Sequence, residues 1–178
     1  MIETDRLLLR PWRESDKPAF RAIINTPAMM EHFGGVAPDA RIDATIDAEM
    51  ERQARDGHSM WAAELKDGTL VGICGVRLGG HPNTPVSDEL EIGWRIGEPW
   101  WGQGIAREAA TASLAWGWAN TDRARVTAWT GIGNRRSWGL MLRLGMKRRG
   151  DLDFHHPSYA PDDASGTMVV YAIDRPRA

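Results

Sequence analysis

Residues 88–119, DELEIGWRIGEPWWGQGIAREAATASLAWGWA, constrain the fold more than any other stretch of this chain. Residues 90–96 alternate in part between apolar and polar side chains and carry no helix cap, which reads as a strand. Gly97-Glu98-Pro99 breaks that strand, because proline lacks a backbone donor and glycine tolerates positive φ. From Gly104 or Ile105 onward, Ile105, Ala109, Ala112 and Trp116 recur at helical spacing. Small Ala106, Ala110, Ser113 and Gly117 lie beside them, so the predicted helix can sit close on a sheet.

The turn between strand and helix carries chemical information. Gly102, Gly104 and Ala106 have little or no side chain where the chain enters the helix, which leaves the first-turn N–H groups unshielded. Those groups lack intrahelical acceptors and sit at the positive end of the helix dipole. Such a turn suits a phosphate or pyrophosphate. It equally suits a tight connection whose glycines serve packing, and spacing alone leaves both readings open. A P-loop is excluded because Ile105-Ala106 follows Gly104 where Lys-Ser/Thr is required. A dinucleotide fingerprint is weak, since Arg107 occupies its third glycine position, although Asp122 falls near the offset of a ribose ligand.

The length of 178 residues favours one domain, 1–178. Lys+Arg 22 against Asp+Glu 24 gives no global field that points to nucleic acid or membrane. Residues 1–65 hold twelve acidic against eight basic side chains, and residues 122–149 hold eight basic and one acidic. That asymmetry suits a cationic substrate with an anionic cofactor, and solvated helix faces explain it as well. The single Cys74 excludes an internal disulfide and reads as a buried structural thiol. No apolar run approaches membrane-spanning length and residues 1–12 lack a signal-peptide core, so the cytoplasm is the expected compartment.

Taken in order, residues 6–10 predict a first strand, stopped at Pro11. Glu14-Ser15-Asp16 precedes a helix bearing Phe20, Ile23 and Ile24, which Thr26-Pro27 ends. Residues 29–35 read as an apolar connector, and residues 41–55 as a charged helix bearing Ile42, Ile46 and Met50. Residues 58–65 and 70–78 read as a hairpin around Asp67-Gly68, and residues 79–87 as a loop. Beyond the long helix come a strand at 125–129 and a helix over 134–144, with Asn134 at its start and Gly145 past its end. Strand-like residues 146–154, a polar loop at 155–166 and a last strand at 167–173 follow.

Trp101-Gly102-Gln103-Gly104-Ile105-Ala106 resembles the Gln/Arg-x-x-Gly-x-Gly/Ala signature of the GNAT superfamily of acetyl-CoA-dependent N-acetyltransferases, with Trp101 departing at the first position. Asn134-Arg135-Arg136-Ser137, followed by Leu144-Gly145-Met146, is similar to that superfamily's Asn-x-x-Ser…Leu-Gly-Phe segment. TDRLLLRPW, LEIGWRI and MVVYAI resemble the Rim-type branch, which includes ribosomal-protein N-terminal acetyltransferases. The resemblance implies an α/β (α+β) GNAT fold. It would have a mixed central sheet of about seven strands flanked by helices, with splayed parallel strands in the middle.

It also implies acetyl-CoA as cosubstrate, held between the 90–96 and 125–129 strands. Backbone groups at Trp94, Arg95 and Ile96 would meet the pantetheine and acetyl carbonyl. N–H groups of Trp101, Gly102, Gln103, Gly104, Ile105 and Ala106 would meet the pyrophosphate, and Asn134 would face the pantetheine arm. The attacking amine must lose a proton, and Glu91 is aligned with a glutamate proposed as base in relatives. Glu91 reads equally well as a salt-bridged structural carboxylate, and Glu89 is the substitute. Relatives that protonate the departing thiolate with Tyr carry it where residues 134–153 here have none. Ser137 is the aligned hydroxyl, as thiolate donor or as a capping residue.

His155-His156 has no Cys or acidic partner at ligand spacing, so no metal is expected. Trp94, Trp116 and Trp138 read as core, whereas Trp12, Trp100 and Trp101 read as candidates to wall a groove. The expected activity is acetyl transfer to a primary amine, of a protein or peptide N-terminus or of a small molecule, by a monomer or homodimer. A CoA-binding module without turnover and a nucleotide-binding oxidoreductase are the alternatives.

Overall fold

The computed structural model describes residues 1–79 and 82–176. Within the predicted loop 79–87, residues 80–81 lie outside the described residues. The chain builds one nine-stranded sheet, with β8 paired to β9 off the main path. The sheet opens with β1 (Ile2–Glu3) and β2 (Leu7–Arg10). Three helices follow, α1 (Lys17–Ile24), α2 (Pro27–Met30) and α3 (Asp39–Asp56). Next come β3 (Met60–Leu65), β4 (Leu70–Leu78) and β5 (Leu90–Ile96), then α4 (Ile105–Asn120). The chain closes with β6 (Arg125–Gly131), α5 (Arg135–Arg143), β7 (Lys147–Arg148), β8 (Phe154–His155) and β9 (Thr167–Asp174).

The order across the sheet is β1-β2-β3-β4-β5-β6-β9-β7, mostly antiparallel, with β5–β6 the parallel pair. The 66–69 turn forms as expected: Gly68 takes φ 89° and the Asp67 carboxylate accepts from the Thr69 N–H at 2.9 Å. Two predicted elements differ. The connector at 29–35 begins inside α2, because the Thr26 hydroxyl accepts from the Met29 N–H at 3.3 Å and Pro27 occupies the first turn, a helix-start arrangement. The 146–154 segment is not one strand. A 3₁₀ turn at Gly150–Leu152 separates β7 from β8, where Gly150-Asp151 supplies turn chemistry and Arg149 folds onto Asp151 at 2.8 Å. The added β1 and the division of 146–154 into β7 and β8 bring the count among the described residues to nine strands where about seven were expected.

Apolar residues fill both faces. On one, α4 packs Ile105, Ala109, Ala110 and Leu114 against Val76, Leu90, Ile92, Val126 and Ala128. The helix lies close: a Cβ at Gly117 would already touch Leu90 and Val76 side chains at 3.5–3.6 Å. On the other face, Phe20 and Ile24 of α1 and Ile42 and Ile46 of α3 meet Met60, Ala62 and Ile73. The α3 stripe continues one turn on to Glu49, which is only 1% exposed. Cys74 is fully buried with its Sγ 3.7 Å from Ser113 Oγ, and burial pushes the thiol up to about 12, so it is inert as a nucleophile. No described helix is long and apolar enough to cross a membrane.

Candidate active site

Strands β5 and β6 pair at two positions only, Leu90 with Val126 and Glu91 with Thr127. Beyond Glu91 they part, and residues 92–96 keep partners on β4 alone. A parallel pair that opens after two rungs leaves one backbone edge of β5 without a strand, as the resemblance implied. Trp94, Arg95 and Ile96 lie along that edge. The Ile96 carbonyl is taken by the Trp101 indole N–H at 2.6 Å, which ties the strand end to the turn that follows.

That turn is built for donors. Gly102 and Gly104 take φ 73° and 78°, a region that L side chains rarely adopt. Among the described residues, no protein acceptor takes the backbone N–H groups of Gly102, Gln103, Gly104, Ile105, Ala106 or Arg107. The first internal bond of the helix entrance runs from the Glu108 N–H to the Gly104 carbonyl at 3.0 Å. A run of free amides at the positive end of a 16-residue helix fits a diphosphate. From outside, Arg6 donates to the Gln103 carbonyl at 2.9 Å and pairs with Glu108 at 2.6 Å. Arg6 went unnoticed in the sequence because nothing local links β2 to a turn about a hundred residues away. Across the opening, the Arg136 guanidinium of α5 lies 4.4 Å from the Trp101 ring centroid.

Glu91 points to the face carrying α1 and α3. It is 6% exposed and pairs with Arg77 of β4 at 3.2 Å. Arg77 also reaches Glu49 at 3.0 Å, and Arg52 pairs with Glu49 at 2.8 Å. Burial pushes the Glu91 carboxyl above the ordinary glutamate range, and Arg77 only partly opposes it. Glu49 was missed in the sequence, though its place seven residues past Ile42 on the apolar stripe was a usable signal. Glu89, the substitute, pairs with Arg125 at the closed end of the β5–β6 pair. Arg95 shares the Glu91 face. Its guanidinium lies 5.4 Å from the Phe33 ring and 6.0 Å from the Phe20 ring, and burial beside Arg77 pushes it below the usual arginine value.

At the far side of the opening, Asn134 caps α5. Its Oδ1 accepts from the Ser137 N–H at 3.2 Å and its Nδ2 donates to Thr130 Oγ1 at 3.0 Å, so both ends of the amide are engaged. The Ser137 hydroxyl makes no hydrogen bond among the described residues, and its part in the cap is the backbone N–H alone. Trp129 of β6 packs against Phe154 and His156, and its indole nitrogen is buried without a partner. Of the tryptophans read as groove walls, Trp12 is instead core. It is 5% exposed and donates to the Met60 carbonyl at 2.8 Å, because the 7–12 segment turns inward beneath α1. Trp100 packs on the α4-side core, and Trp101 is partly buried beneath Arg136. No group of three or more His, Cys, Asp or Glu is arranged to hold a metal among the described residues.

A mixed sheet opened at its parallel pair, with helix-entrance amides free of protein acceptors beside the gap, is the arrangement of the acyltransferase class that the sequence resemblance implied. The chain belongs to the GNAT acetyltransferases: the family model described as the acetyltransferase (GNAT) domain matches residues 6–147. It is an acetyl-CoA-dependent acyltransferase of that family.

Among curated relatives, the uncharacterized protein YkkB of Bacillus subtilis (strain 168) is 29% identical over 147 residues, 82% of this chain and 84% of that protein. The uncharacterized N-acetyltransferase YoaA of the same organism is 26% identical, covering 99% of this chain and 98% of its own. Its putative ribosomal N-acetyltransferase YdaF is 27% identical over 60% of this chain and 56% of its own. Among solved structures, an acetyltransferase from Agrobacterium tumefaciens str. C58 superposes with TM-score 0.77 at 25% identity, covering 97% of this chain and 92% of that one. RimL, a ribosomal L7/L12 alpha-N-protein acetyltransferase in complex with coenzyme A, shares the fold at TM-score 0.74 and 18% identity, covering 96% and 95%. Spermidine N-acetyltransferase from Vibrio cholerae shares it at 0.71 and 12%, covering 97% of each chain.

Proposed function

We propose that this chain acetylates the N-terminal amine of a protein or peptide by direct attack on acetyl-CoA. The single observation that carries the transfer is the free edge of β5 beside the amides of the 102–107 turn, which donate to no protein acceptor among the described residues. The resemblance to Rim-type enzymes and the likeness to YdaF and RimL support a protein acceptor. A small-molecule amine is the second reading, favoured by the fold shared with the spermidine enzyme.

Acetyl-CoA supplies an activated acetyl thioester. In this reading the N–H groups of Gly102, Gln103, Gly104, Ile105 and Ala106 hold the diphosphate without a buried counter-charge. The Trp101 N–H, expected to join them, instead donates to the Glu98 carbonyl at 3.0 Å, because Pro99 closes a 3₁₀ turn there. The edge at Trp94, Arg95 and Ile96 orients the acyl arm, and Asn134 shapes the far wall by fixing the start of α5. Glu91, whose carboxyl burial pushes above the ordinary glutamate range, takes the proton of the attacking nitrogen, directly or through water. The carbon–nitrogen bond forms as the carbon–sulfur bond breaks, and the Ser137 hydroxyl donates to the sulfur that leaves as thiolate. No metal takes part, and the enzyme works in the cytoplasm as a monomer or homodimer.

Incubation with acetyl-CoA and a panel of N-terminal peptides, polyamines and amino acids, read by mass spectrometry, tests the proposal. One acetyl group on a peptide α-amine is expected. Transfer to small amines alone would replace the protein acceptor, and thiol release without any acetylated amine would overturn the transferase reading.

A further inference from the structure

On the face of the sheet that carries Glu91, two N–H donors stand without acceptors among the described residues. One is the Arg95 guanidinium. Among the described residues it is the one basic side chain that is not exposed and has neither a carboxylate nor a carbonyl partner. Its counterparts on the same side of the sheet are all paired, Arg10 with Asp16 and Glu64, and Arg77 with Glu49 and Glu91. The second is the Trp129 indole nitrogen. With Glu91 opposite Thr127 on a parallel pair, both side chains fall on one face by period 2. Trp129 is two residues beyond the last rung on β6, and Arg95 is four beyond it on β5. The opening between the parted strands lies between them.

Phe33 and Phe20 touch the guanidinium through their rings, at 5.4 and 6.0 Å. Such contacts orient the plane and satisfy none of its five N–H donors. The surrounding charge is also unbalanced. Arg52, Arg77 and Arg95 face Glu49 and Glu91, which leaves one cation in excess. A partly buried cation without a partner is costly unless something supplies one.

We infer that Arg95 is the specificity residue of the acceptor site, and that the amine this enzyme takes carries a carboxylate close to the reacting nitrogen. The inference rests on the acetyl-transfer reading above and deepens it. A guanidinium fork and a carboxylate pair in bidentate geometry, and the charge of the group closes the local balance. The same cation disfavours the ammonium form of the bound acceptor, which helps to present a neutral nitrogen for attack. The carboxylate has two sources, the α-carboxylate of a free amino acid or an acidic side chain beside a peptide N-terminus.

Two matched pairs test this and separate the sources. One pair is a free α-amino acid and its carboxamide. The other is an amidated tetrapeptide with glutamate second and its glutamine counterpart. The wild type is expected to favour the acidic member of one pair in kcat/KM by roughly tenfold to a hundredfold. Arg95→Gln should bring that ratio near unity, and Arg95→Lys should retain part of it. A structural arginine would change stability and leave the ratio alone. Parity in both wild-type pairs, or a preference that survives Arg95→Gln, overturns the inference. The wild-type comparison decides even where a variant fails to fold. If no amine is acetylated, calorimetric affinities of the same pairs for the protein saturated with CoA give the same ratio. Absent turnover then counts against the transferase reading, and parity of affinity counts against Arg95.

Discussion

Glu91 and Arg77 are register partners on antiparallel strands, and their side chains meet at 3.2 Å on the face that carries α3. The same arginine reaches Glu49, whose second oxygen accepts from the Met60 N–H at 2.9 Å. Glu49 is therefore tied by backbone and by two arginines, whereas Glu91 has Arg77 alone. Of the two buried carboxylates Glu91 is the freer, and burial holds its pKa above the ordinary value. One residue thus accommodates both readings of the sequence, the salt-bridged carboxylate and the base.

For that base, Glu91→Gln should lower kcat/KM on the order of 10²-fold. Because the folded pKa is raised, the acidic limb of the wild-type pH–rate profile should lie above the ordinary glutamate range, and the variant should lose it. The stability sign follows from the same shift. The folded state holds this proton more tightly than the unfolded chain. The carboxyl's contribution is therefore present below the unfolded value and is lost as pH rises through the folded one. Urea titrations at several pH values should show wild type losing stability relative to Glu91→Gln across that window. A profile unchanged by the substitution would move the proton to water or Glu89.

Gly104 sits at φ 78° where the chain enters α4, and a Cβ there would approach the Arg6 guanidinium at 3.5 Å. Gly104→Val imposes left-handed strain on a branched residue and obstructs the free amides. Acetyl-CoA binding should weaken by about 2 kcal/mol or more, given the strength of charge-assisted bonds. Calorimetry on a folded variant checks this, and unchanged affinity would remove the turn from the cofactor site.

Ser137 contributes its N–H, not its hydroxyl, to the cap of α5. Ser137→Ala keeps that N–H, so the melting temperature should hardly move. If the hydroxyl donates to the leaving sulfur, kcat should fall by up to about 10²-fold, the lower end of the loss seen when an oxyanion donor is removed. Acetyl-CoA affinity should change less than kcat. A fully active variant of native stability would leave Ser137 without a role.

Asn134 spends its whole amide on Ser137 and Thr130. Asn134→Ala should cost roughly 1–2 kcal/mol of stability in urea unfolding, the usual value of an N-cap. Asn134→Asp keeps the accepting oxygen and should recover most of it. Equal stability of all three proteins would show that tertiary packing, not the cap, fixes the start of α5.

Sequence alone determined the strand–turn–helix at 90–120 and the 66–69 turn, because glycines and apolar periodicity act over a few residues. It also determined Asn134 as a cap and the family resemblance, since each is a local pattern. Tertiary structure decided what those patterns surround. The two-rung pairing of β5 and β6 depends on strands about thirty residues apart in the chain. The Glu49–Arg77–Glu91 chain joins three separate elements, and Arg6 reaches the 102–104 turn from just before β2. Trp12 looked like a groove wall in sequence and became core once α1 covered it. In sequence Arg95 was a strand residue whose backbone alone was expected to meet the cofactor, with no role for its side chain. Only burial against Phe20, with no carboxylate at salt-bridge distance among the described residues, made it a cation in want of a partner, because burial and charge pairing are properties of what the fold brings near.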